Sequence, residues 1–196
     1  MENGDGRGNG HPKLTEYFTS PTRGQRDFSQ VVGDVTDFIN EDAVSRYTVV
    51  VGTDSEQGNS PRFAAGEAGG LAEFVSVVVV HRVGKHGRYF WRRTRDIKTF
   101  DRHDRILKEA SFSLDLAQRL IGELRSKLRQ HLYDFEIHLD IGQNGPTKTM
   151  IQEIVGMITG SGFTAKIKPE SYAANKVADR HVNGARKIYH NLSATA

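Results

Sequence analysis

The run Tyr47-Thr-Val-Val-Val-Gly52 restricts the fold more than any other part of the chain. β-Branched side chains crowd a helical turn but suit a pleated surface. Continuous rather than alternating, the run reads as a strand buried on both faces, stopped by the turn residues Gly-Thr-Asp-Ser. A strand covered above and below needs a sheet with layers on each side.

The rest of the chain supplies that sheet and its cover. Leu71 to Val83 and Arg88 to Lys98 flank Gly84-Lys85-His86-Gly87, which reads as a hairpin connection. After Asp104, the positions Leu107, Ala110, Leu114, Ala117, Ile121, Leu124 and Leu128 step by threes and fours, predicting a long amphipathic helix. Phe135 to Ile141 alternates as a strand and breaks at Gly142-Gln143-Asn144-Gly145. Pro146 opens a further helix that Gly160 and Gly162 close. Phe163 to Lys168 is a last strand stopped by Pro169, and Ser171 to Ile188 a last helix.

Ahead of this block, Phe28, Val31, Val32, Val35, Phe38 and Ile39 keep a helical rhythm, predicting a short N-terminal helix. The expected fold is α/β: three antiparallel strands, then α-β-α-β-α, in a mixed five-stranded sheet with helices on both faces. The expected organisation is a disordered Gly/Asn-rich tail over 1–13, a helical extension over 14–45, a main domain over 46–190 and a tail over 191–196. Ligands of such a sheet bind at the carboxyl ends of the strands. Asp54 and Asp140 are expected at two such ends.

Composition narrows the chemistry. The 196 residues contain no cysteine, which excludes a disulfide scaffold, a thiolate zinc site and a cysteine nucleophile. No apolar run approaches the ~20 residues of a membrane span, and the first residues lack a secretory apolar region, so a cytoplasmic location without membrane contact is expected. A formal charge of +3 tilts weakly toward polyanionic partners.

Two carboxylates on neighbouring parallel strands, about 4.8 Å apart, suit a hard divalent cation such as Mg²⁺ or Mn²⁺. In-line phosphodiester cleavage uses two such ions roughly 4 Å apart. Each aspartate taken alone reads equally well as a helix cap or turn residue. Ile106, Glu109, Ser113, Leu116, Leu120 and Glu123 share one flank of the long helix. At 1.5 Å per residue, Glu109 and Glu123 lie about 21 Å apart, so one of them at most reaches a strand end. The competing reading of Glu109 is a solvated charge paired with Lys108 or Arg105.

Val51-Gly52-Thr53-Asp54-Ser55, the run His138-Leu139-Asp140-Ile141-Gly142-Gln143-Asn144-Gly145, and Lys166-Ile167-Lys168-Pro169-Glu170-Ser171-Tyr172-Ala173-Ala174 through Val177-Ala178-Asp179 resemble the bacterial YkuK-like proteins, predicted ribonuclease H-like nucleases. The resemblance covers about residues 18 to 183. It implies a ribonuclease H-like domain over 46–190 and a two-metal carboxylate site of Asp54, Glu109, Asp140 and Asp179, as both metal ligands and catalytic residues. Glu109 is favoured over Glu123 because the superfamily places its acid near the helix start. Asp179 falls in the first helical turn if Asn175 is the cap, and two turns in if the helix begins at Ser171; Glu170 is the substitute.

The expected activity is therefore metal-dependent hydrolysis of DNA or RNA. The alternatives are a non-catalytic nucleic-acid-binding module and a metal-dependent hydrolase of a small phosphorylated substrate. Ser55, Asn144, Lys168, Lys176 and Arg180 are the expected phosphate contacts around the acids, with Lys166 beside them. Arg92 and Arg93, on a strand with Tyr89, Phe90 and Trp91, suit a nucleic-acid surface, although a charge-protected edge strand looks the same. Among the scattered histidines, His181 is the candidate for proton transfer.

Overall fold

A computed structural model describes residues 17–57, 69–129, 132–142, 148–178 and 180–181. The elements run β1 (Phe18–Ser20), β2 (Gly24–Arg26), α1 (Phe28–Asn40), β3 (Tyr47–Gln57), β4 (Gly70–Arg82), β5 (Gly87–Thr99), α2 (Arg102–Lys127), β6 (Tyr133–His138), α3 (Lys148–Gly160), β7 (Thr164–Lys166) and α4, a π-helical segment (Ala173–Ala178).

Among the described residues the sheet has seven strands in the order β2-β1-β5-β4-β3-β6-β7, not the five expected. The expected five are present as β3 to β7. The other two form a hairpin, with Phe18 opposite Arg26, that joins the outer edge through Thr19 and Trp91. These strands are three residues each, too short for periodicity to register. Residues within 14–45 thus contribute sheet as well as helix. The tails over 1–13 and 191–196 lie outside the described residues.

β3, β4 and β5 form an antiparallel meander, while β6 joins β3 and β7 joins β6 in parallel. The β4–β5 turn uses its glycines for two different reasons. Gly84 takes a φ of +74°, which L side chains rarely adopt, and a Cβ on Gly87 would meet the Val80 carbonyl oxygen at 2.7 Å.

Three helices cover one face of the sheet. α1 is fixed by a capping box in which Asp27 and Gln30 satisfy each other's backbone N–H groups. It buries Val31, Val32, Val35, Phe38 and Ile39, each worth roughly 1.5–3 kcal/mol of apolar transfer. They pack with Val49 and Val51 of β3, with α2 through Leu116 and Leu120, and with α3 through Ile154 and Ile158. On the opposite face, Val50, Val75, Val77 and Val79 pack against Ala173 and Ala178 of α4. Both faces of β3 are covered, as its uninterrupted valines require.

Candidate active site

The parallel register of β3 and β6 builds the site. Gly52 pairs with His138, and there the ladder between the two strands stops. Two residues further along each chain come Asp54 and Asp140. β3 itself continues to Gln57, still paired with β4, so Asp54 lies inside a strand rather than at its end as the sequence suggested. Asp140 lies just beyond β6.

The same row extends in both directions. Asp54 pairs across to Val75, and Val75 to Arg93. On the other side His138 pairs with Lys166, and the backbone bonds continue past that pair, from Leu139 N–H to the Lys166 carbonyl at 2.8 Å and from Lys168 N–H to the Ile141 carbonyl at 3.1 Å. These bonds bring Lys168, two residues beyond the end of β7, beside the Asp140–Ile141 segment. Its ammonium lies 2.8 Å from Asp140 Oδ1, an oxygen closed off from solvent, in a geometry short of a directed hydrogen bond.

Glu109 arrives from the α2 side. Among the buried residues of α2 it is the charged one, on the flank formed by Ile106, Ser113, Leu116 and Leu120. Ser55 donates its hydroxyl to Glu109 Oε1 at 2.5 Å. Because side chains alternate along a strand, Ser55 faces α2 while Asp54 faces α4. Burial pushes the Glu109 carboxyl up to about 7; the Ser55 hydrogen bond and Arg105 oppose this, and the Asp54 and Asp140 charges reinforce it. Glu109 therefore feels both aspartates. Lys108, considered above as its partner, is held instead by Asp104. Glu123 is exposed and bonded to Lys127 at 3.1 Å, at the far end of the helix.

Among the described residues, no three Asp, Glu or His side chains close into a ligand set. Asp179 and Asn144 lie outside the described residues. Glu170, the substitute for Asp179, is exposed and bonded to Lys166 at 2.8 Å. The donor chemistry of Asp54, Asp140 and Glu109, carboxylate oxygens only, suits a hard divalent cation. Asp140 already holds a cationic group on a shielded oxygen.

Other expected contacts fall differently. Ser55, expected at phosphate, is buried and committed to Glu109. Arg92 and Arg93 do not form one surface, because the strand's alternation sends them to opposite faces. Arg92 is buried with its guanidinium over the Phe18 ring at 5.2 Å, so it is a core cation rather than a phosphate contact. Arg93 is bonded to Glu73 and to the His181 carbonyl. Lys176 and Arg180 are exposed.

His181 stacks on Trp91, with ring centroids 4.3 Å apart, and its imidazole is held below the usual range by burial and by Arg93 and Arg180. It ties the C-terminal segment to β5. His138 is buried between Glu136, to which Nε2 donates at 2.9 Å, and the Ala173 amide, which donates to Nδ1 at 3.3 Å. This neutral tautomer, kept so chiefly by burial, anchors α4 to β6. Sequence reasoning missed the Ser55 and His138 roles because both depend on which strand face meets which helix.

Among the described residues, no helix is long and apolar enough to cross a membrane. No solved structure matches the chain significantly. The family model described as Ribonuclease H-like matches residues 30–183. A protein of Bacillus subtilis (strain 168), named "Uncharacterized protein YkuK", is 30% identical over 176 residues, covering 83% of this chain and 95% of the relative. With β3 to β7 and α2 to α4 inside the family match, and a relative of 30% identity over most of both chains, the chain belongs to the ribonuclease H-like family, on its YkuK-like branch.

Proposed function

We propose that the protein is a metal-dependent nuclease that hydrolyses phosphodiester bonds of DNA or RNA at the crevice between β3 and β6. The observation that carries this reading is a buried Glu109 whose acidity responds to both Asp54 and Asp140, each two residues past the last β3–β6 pair, Gly52 with His138.

Asp54 and Asp140 would hold Mg²⁺ or Mn²⁺, with Glu109 and Asp179 completing the set. When bound, a pair of such ions activates the attacking water and stabilises the leaving oxygen. The chain's own contribution is orientation. Ser55 fixes the rotamer of Glu109 through Oε1, and the β3–β4 ladder holds Asp54 on a strand rather than on a loop. Lys168, Lys176 and Arg180 supply cations for backbone phosphates.

The test is a melting curve with added Mn²⁺, paired with cleavage of labelled single-stranded, duplex and hybrid oligonucleotides. Millimolar Mn²⁺ should raise the melting temperature of the parent by mass action. The Asp54→Asn/Asp140→Asn double variant should neither shift nor cleave. A parent melting temperature unmoved by Mn²⁺ would sink the reading. Nucleic-acid binding with no turnover in Mg²⁺ or Mn²⁺ would instead leave a binding module.

A further inference from the structure

The cation that neutralises Asp140 in this fold is part of the fold. Lys168 lies two residues beyond β7, and its N–H, bonded to the Ile141 carbonyl at 3.1 Å, ties its backbone beside Asp140. Lys166, the last residue of β7, is bonded to Glu170, so the two lysines have different partners. Asp140 Oδ1 is shielded from water and has the Lys168 ammonium against it. The Lys168 side chain is itself 40% exposed, on a long flexible stem, so it has somewhere to go when displaced.

A divalent cation and an ammonium cannot share that oxygen. We propose that Lys168 is the built-in counter-ion of the Asp54–Asp140 pair, that a divalent cation displaces it, and that the displaced ammonium takes a phosphate oxygen. Cation and phosphate then bind cooperatively, each removing what opposes the other. Linkage makes this coupling reciprocal. The inference rests on the metal-site reading above and adds to it an order among ligands: the ion is held weakly until a phosphate group arrives.

The experiment is isothermal titration of Mn²⁺ into the full-length chain, with and without sulfate as a tetrahedral oxyanion probe, at matched ionic strength. Lys168→Met should bind Mn²⁺ about tenfold tighter than the parent without sulfate, since it lacks the competing charge. Sulfate should tighten Mn²⁺ binding to the parent severalfold and leave Lys168→Met unchanged. Lys168→Gln should repeat both results, guarding against a packing effect of Met. Lys166→Met, which disturbs the Glu170 pair, should keep parental affinity.

Mn²⁺ bound equally by the parent and both Lys168 variants would overturn the counter-ion proposal and leave the metal site standing. A sulfate effect that persists without Lys168 would also overturn it. No Mn²⁺ binding by any of these proteins would remove the metal site, and the proposal with it.

Discussion

The two ends of the central strands handle buried charge in opposite ways. At the amino end of β3, Arg82 is buried, yet its guanidinium is satisfied from every side. It donates to the Tyr47 hydroxyl at 2.8 Å and the Phe38 carbonyl at 3.3 Å, lies 3.6 Å from Glu41 and 3.9 Å from Asp42, and covers the rings of Phe38 and Tyr47. At the carboxyl end, Lys168 lies against Asp140, while Glu109 is pushed toward its neutral form by burial and by the charges of Asp54 and Asp140. The first arrangement is closed and holds α1 to the sheet. The second keeps a buried acid among like charges with its acidity perturbed, as functional sites do.

Substitutions at the two ends should therefore change stability in opposite directions. The largest effect is on turnover: Asp54→Asn should cut nuclease activity by about a thousandfold or more, roughly 4 kcal/mol in the barrier. Without divalent cation it should raise the melting temperature by a few degrees, because an amide relieves the like-charge crowding while still accepting the Ser55 amide bond. An Asp54→Asn protein that is less stable than the parent without metal would erase the contrast between the ends. Arg82→Met should do the reverse, costing about 3 kcal/mol in urea unfolding by leaving the Tyr47 hydroxyl and the Phe38 carbonyl without their donor. It should leave the Mn²⁺-induced shift intact.

The pH dependence of stability sharpens the comparison. Glu109 has a folded pKa of about 7 against an ordinary 4.5, so its protonated form favours the fold. That contribution is complete below about pH 4.5 and disappears as pH rises through 7, a change on the order of 3 kcal/mol. Glu109→Gln should remove this slope, and Mn²⁺ should stabilise the parent more at pH 8 than at pH 5.5. A stability curve flat from pH 5 to 8 in both parent and variant would place the strain elsewhere.

Smaller effects separate core cations from surface ones. Arg92→Ala should lower stability by about 1–2 kcal/mol through lost packing and leave the salt dependence of nucleic-acid binding unchanged. Lys176→Ala/Arg180→Ala should do the opposite, flattening the log–log salt slope by roughly 0.7–0.9 per lost contact. Glu123→Gln, on the exposed face of α2, should change stability by less than about 0.5 kcal/mol and leave cleavage at the parental rate.

Much of this was legible in the residues themselves. The valines of β3 and β4 demanded a doubly covered sheet. The flank from Ile106 to Glu123 left Glu109 and Glu123 as inward candidates, between which the family resemblance chose Glu109, and the motifs around Asp54 and Asp140 pointed to the strand-end crevice. These signals are periodicities and short motifs, written within one segment, where each residue's neighbours along the chain decide its environment. The β1–β2 hairpin escaped notice because its two short strands are joined through Pro21-Thr-Arg-Gly24 and have no period of their own.

Tertiary structure alone decided which residues meet. Alternation tells that Arg92 and Arg93 part company, but only the helices packed on each face say that Arg92 goes under α2 and Arg93 toward His181. Nothing near Asp140 in sequence names Lys168 as its partner; they stand 28 positions apart with a helix between them. That contact depends on how the chain after β7 meets the segment after β6, and the relative position of Asp54 and Asp140 on the register of β3 on β6. Register is a property of two segments at once, set where buried faces must coincide, and a shift of one residue would turn every one of these charges to the other side of the sheet.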